Sequence, residues 1–168
     1  MGALELPALT CFIRQSGSLS PDELDAFARA HWPKLERLEV WLGGPASTVT
    51  SVDQLRPLLL AARGWPLRVF GLLNHELGPA LLPELAGLDW VRRLERLSLA
   101  KCTFIDDDLE ALIDLAGQLT GQLDLSENLL SSEAVAELKR RAPNAMVELQ
   151  RFDDQQHWGP DRFVAVGE

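Results

Sequence analysis

The chain has 168 residues, 46% of them hydrophobic, which is ample material for one buried core. A formal charge of −9 at pH 7 disfavours nonspecific binding to nucleic acid or anionic lipid. The longest apolar runs, such as residues 58–62, are far too short to span a bilayer, and residues 1–5 lack the basic start and apolar core of a secretory signal.

In chain order, one spacing keeps returning: apolar-x-x-apolar-x-apolar, then a special residue three places on and often an apolar one two beyond it. The first copy is Leu9, Phe12, Arg14, Gly17 and Leu19. Arg14 replaces the usual inward aliphatic residue, which fits a terminal coil whose outer side is wet. Ser20-Pro21-Asp22-Glu23 then reads as N-cap, proline at the first helical position and acid in the first turn, leading into Leu24, Phe27 and Ala28 at helical spacing. The second copy is Leu35, Leu38, Val40 and Gly43. Thr50 or Ser51 opens the helix after it, with Leu55, Leu58, Leu59 and Ala62 as the buried stripe and Gly64 as the stop. Leu67, Phe70, Leu72, His75 and Leu77 make the third copy, followed by a helical pattern over residues 81–91.

The fourth copy, Leu94, Leu97, Leu99, Cys102 and Phe104, fits the leucine-rich-repeat template L-x-x-L-x-L-x-x-[NC]-x-L at every position. A helix is expected over 109–119. The fifth copy is Thr120, Leu123, Leu125, Asn128 and Leu130, and Ser131-Ser132-Glu133 introduces a helix over 134–141 that Ala142-Pro143 ends. The sixth is Asn144, Val147 and Leu149. First positions thus fall at 9, 35, 67, 94, 120 and 144, in steps of 26, 32, 27, 26 and 24.

Alternate residues of each short strand point inward. The residue after the turn must satisfy stacked backbone groups, which Asn128 does by hydrogen bonding and Cys102 by small size and burial. The expected fold is therefore α/β: a curved, right-handed leucine-rich-repeat solenoid of about six coils spanning residues 1–168, with parallel strands on the concave face and helices on the convex one. A doubly wound, flavodoxin-like sheet is the alternative, but it calls for longer hydrophobic strands and glycine-rich phosphate loops. Residues 151–168 read as a C-terminal capping tail in which Trp158, Phe163 and Val166 cover the open end of the last coil. A docking tail is the second reading. Two cysteines in separate coils suit a reducing compartment, and cytoplasmic location is the expectation.

Candidate chemistry gives way to structural explanations. His31, His75 and His157 lack metal-ligand spacing, and His75 takes the turn slot, where it serves as a hydrogen-bonding group. Asp106-Asp107-Asp108 begins a helix, where acids act as caps and dipole partners. Arg92-Arg93 and Lys139-Arg140-Arg141 fall near helix C-termini for the converse reason. Cys11 faces the concave side, without a neighbouring base to activate it. No catalytic residue, metal site or cofactor is expected, and no nucleic-acid or membrane partner.

Surface remains. Residues alternating with the inward leucines form columns along the strands: Cys11, Arg37, Val69, Arg96, Gln122 and Met146 in the first; Ile13, Glu39, Gly71, Ser98, Asp124 and Glu148 in the second; Gln15, Trp41, Leu73, Ala100, Ser126 and Gln150 in the third. Trp41, Leu73 and Ala100, with Val69 near them, are expected to form an apolar binding patch rimmed by Arg37, Glu39, Arg96 and Asp124.

The run Leu35 to Gly43 with its Trp41-Leu42-Gly43, the Leu94 to Leu99 strand, the Leu123-Asp124-Leu125-Ser126 segment and the terminal Asp161-Arg162-Phe163-Val164-Ala165-Val166-Gly167-Glu168 resemble a bacterial leucine-rich-repeat family designated by a locus tag. The resemblance covers nearly the whole chain, as the repeat half of longer members that carry an additional amino-terminal segment and have genes near radical-SAM-type proteins. It implies the repeat fold and a bacterial origin, and it brings no activity or catalytic residue with it. Two function classes follow: a non-catalytic scaffold that holds a protein or peptide on its concave strands, in one version as accessory to a modifying enzyme, or an enzyme or enzyme subunit using the acids Glu39, Asp124 and Glu148.

Overall fold

The computed structural model describes residues 5–15, 19–43 and 49–151. Within them, strands and helices alternate: β1 (Cys11–Arg14), α1 (Pro21–Ala28), β2 (Arg37–Trp41), α2 (Arg56–Ala62), β3 (Val69–Leu73), α3 (Leu81–Ala86), β4 (Arg96–Ser98), α4 (Leu109–Gln118), β5 (Gln122–Asp124), α5 (Ser132–Arg141) and β6 (Ala145–Met146). The strands form one parallel sheet in the order β1-β2-β3-β4-β5-β6. A doubly wound sheet reverses its strand order at a switch point, and this one does not. Among the described residues, no helix is long and apolar enough to cross a membrane.

The leucine spacing sets the register. Phe12 pairs with Leu38, Leu38 with Phe70, Phe70 with Leu97 and Leu97 with Leu123. These side chains meet Leu24, Leu58, Leu59, Leu81, Leu112 and Leu138 from the helices in one contiguous apolar core. Each leucine buried there contributes about 1.5–3 kcal/mol before conformational entropy is subtracted. The other face of the sheet takes no part in that core.

Local signals explain where the helices begin. Ser20 and Glu23 form a capping box: the Glu23 N–H donates to Ser20 Oγ (3.2 Å) and the Ser20 N–H donates to Glu23 Oε2 (2.8 Å). Arg14, the inward residue of β1, reaches the same carboxylate at 2.7 Å. Ser131 caps α5, accepting from Ala134 N–H at 3.2 Å. The Asp106 carboxylate accepts from the N–H (2.9 Å) and the hydroxyl (2.6 Å) of Ser131, so the start of one helical segment braces the start of the next. The helix expected over 81–91 is shorter. Gly87 caps α3, its N–H bonding to the Pro83 carbonyl at 3.1 Å, and a separate 3₁₀ turn follows at Val91–Arg93.

The slot after each turn is occupied as the spacing predicts. Asn128 Nδ2 donates to the carbonyls of Leu99 (3.0 Å) and Leu125 (2.9 Å), while its Oδ1 accepts from Phe104 N–H (3.2 Å). Cys102 is fully buried, and burial pushes its thiol up to about 12. His75 is buried too, its Nδ1 accepting from Leu77 N–H at 3.2 Å. Gly17 lies outside the described residues. The residue just before the slot adopts a left-handed backbone at Asn74 (φ 55°), Lys101 (59°), Glu127 (57°) and Leu149 (51°).

That last angle corrects the sixth copy. Leu123 pairs with Ala145 and Asp124 with Met146, two residues earlier than the alignment on Val147 and Leu149 requires. The inward positions are Ala142, Ala145 and Val147, all buried, whereas Leu149 is 79% exposed. Gln150 fills the slot as Asn128 does, donating to Leu125 O (2.9 Å) and accepting from Leu130 N–H (3.3 Å). The tail lies outside the described residues except Arg151, whose guanidinium donates to the carbonyls of Glu127 (2.6 Å) and Cys102 (3.0 Å).

Candidate functional site

The outer face of the sheet carries the expected columns in adjacent register. Arg37 lies beside Cys11 and Val69, and Val69 beside Arg96. Glu39 lies beside Gly71, Gly71 beside Ser98, and Ser98 beside Asp124. Trp41 lies beside Leu73.

Ion pairs organise the first two columns. Arg37 holds Glu39 through Nε (3.0 Å) and Nη2 (2.6 Å). Glu39 is only 5% exposed, and it is accommodated because its neighbour is a glycine: a Cβ on Gly71 would lie 2.9 Å from Glu39 Cγ. Arg96 bonds to Asp124, and Ser98 Oγ donates to the same carboxylate oxygen at 3.0 Å. Burial pushes the Asp124 carboxyl up, but the hydrogen bonds from Arg96 and Ser126 together outweigh it and hold the group below the usual aspartate range. Both acids are buried beneath their arginines. The two arginine side chains remain 44% and 37% exposed on either side of the half-buried Val69.

The apolar patch is smaller than its sequence pattern. Leu73 and Ala100 are 6% and 7% exposed, so of these three apolar residues Trp41 is the one that meets solvent, half-buried. Val69 does not join it, because parallel register puts Val69 in the column between the two arginines. Sequence reasoning passed over Lys101, which lies against Trp41, and its ion-pair partner Glu127. Lys101 Nζ stands 5.8 Å from the Trp41 ring centroid and 2.7 Å from Glu127. Their signal was the recurrent position before the slot, where a left-handed backbone turns the side chain back across the strand end.

The acids do not assemble. Glu39 and Asp124 stand three strands apart, about 14 Å at roughly 4.8 Å per strand. The shift in β6 moves Met146 beside Asp124 and brings Glu148 beside Ser126, where the Glu148 N–H donates to Ser126 Oγ at 3.3 Å. Paired carboxylates for glycosyl transfer stand about 5–9.5 Å apart, with one proton retained. Among the described residues, no group of three His, Cys, Asp or Glu side chains is placed to hold a metal ion. Cys11 is exposed on this face beside Arg37.

No protein-family model matches the chain, and no curated protein matches it. Among solved structures, a crystal structure of a protein from Bacteroides fragilis superposes with a TM-score of 0.77 over 88% of this chain at 20% sequence identity. This chain spans 43% of that protein's length. Likeness at that identity is one of fold alone.

Proposed function

We propose that the chain is a leucine-rich-repeat solenoid acting as a non-catalytic scaffold, which binds a protein or peptide segment along the outer face of its strands in the cytoplasm. The observation that carries this reading is the pairing of half-exposed arginines with buried acids across that face. Arg37 and Arg96 keep further N–H donors for a ligand, Val69 gives an apolar seat between them, and Trp41 with Lys101 marks the far end of the strands. The ligand best suited is an extended segment with acidic side chains toward the arginines and an apolar one toward Trp41. The carboxylates argue against the enzyme reading by their dispersal: Glu39 and Asp124 are each bonded to a separate arginine three strands apart, and Asp124 lies below the usual aspartate range, whereas acid–base chemistry needs a group poised near neutral pH.

A displayed peptide library selected against the chain tests this. Trp41→Ala is expected to lower the affinity of enriched peptides about ten-fold or more, as is the double variant Arg37→Gln with Arg96→Gln. Trp41 is outside the core, so the variant should fold. Enriched peptides that bind both variants as tightly as the original chain would contradict the proposal.

A further inference from the structure

On the opposite side of the molecule, a depression of about 420 Å³ opens between α2 and the segment after α3. Its apolar wall is Leu59, Leu60, Leu88 and Trp90, and two cations, Arg63 and Arg93, stand in its lining. Among the described residues, these are the two arginines whose side chains have neither an ion-pair nor a hydrogen-bond partner. In a chain of net charge −9, where Arg56, Arg140 and Arg141 all find acids along the helical side, two unpaired guanidiniums at one depression require a reason.

Trp90 supplies the second observation. It is 6% exposed, fixed edge-on against Phe70 with ring centroids 5.1 Å apart, and its indole N–H has no acceptor. The lining also holds one acid, Asp89, which is 89% exposed and stands 4.0 Å from Arg92.

We propose that this depression binds a small amphipathic carboxylate, its aryl or alkyl body against Leu59, Leu60, Leu88 and the Trp90 ring, and its carboxylate between Arg63 and Arg93. Volume, apolar wall and a few convergent donors match the general make-up of small-ligand sites.

The test is a titration with 4-phenylbutyrate, followed by the indole N–H resonances, that of Trp90 being assigned with Trp90→Phe. A saturable shift of the Trp90 signal is expected at a concentration on the order of 1 mM, with the Trp32 and Trp41 signals unmoved. Neutral 4-phenylbutanol, and the chain carrying Arg63→Gln with Arg93→Gln, are each expected to bind about ten-fold more weakly. Both arginines are exposed, so the double variant keeps its fold, which the remaining indole signals report. Absence of a saturable shift, equal binding of the alcohol, or equal binding by the double variant would each overturn the assignment.

Discussion

Asn128, Cys102 and His75 fill one position in successive strand–turn–helix units with three different chemistries, and the differences have measurable consequences. Asn128 spends both ends of its amide on backbone groups, and Cys102 is a compact buried thiol. His75 must stay neutral, because burial pushes its pKa from 6.5 down to about 4. The unfolded chain takes up that proton below pH 6.5 while the native chain refuses it until about 4. Its contribution is therefore complete above pH 6.5 and falls by about 3 kcal/mol as the pH drops to 4. Urea unfolding between pH 7 and 4 should show that loss, and His75→Asn should flatten it. A slope unchanged in the variant would place the titration elsewhere. Leu149 offers the opposite test. Exposed and left-handed, it is the wrong residue for its backbone, so Leu149→Asn should raise stability by about 0.5–1 kcal/mol in the same assay.

At the scale of elements, the spacing of inward aliphatic residues was enough to register β1 to β5, because a period-two strand leaves no freedom once one face is buried. It failed at β6 for a physical reason. The true inward residues Ala142 and Ala145 are small, while Val147 and Leu149 imitate the stronger pattern. The amide of Gln150, not the nearest leucine, was the usable marker. Sequence was also silent on how closely neighbouring units approach. A Cβ on Gly121, just before β5, would lie 2.3 Å from the carbonyl oxygens of Leu94 and Glu95, which belong to the backbone and cannot step aside. Gly121→Ala is expected to cost about 3 kcal/mol, read from the urea midpoint, whereas Gly117→Ala, with open space around it, should be neutral or stabilising. Similar midpoints for the two variants would contradict this account of the contact.

For the whole molecule, sequential parallel strands leave one sheet face to the core and the other outside it. The columns on that outer face were legible because register fixes them. Their exposure was not: which of Trp41, Leu73 and Ala100 meets water depends on neighbours such as Lys101, reached only through the stacking of units. The depression at Arg63 and Arg93 was invisible for the same reason, since it joins helical segments about thirty residues apart that no local pattern links. The central claim is that partners bind on the strand side. Side-chain oxidative footprinting of the chain with and without a selected peptide tests it most directly. Protection is expected at Trp41 and Val69, with Leu60 on the helical side labelled equally in both states; protection of Leu60 while Trp41 stays fully reactive would contradict it.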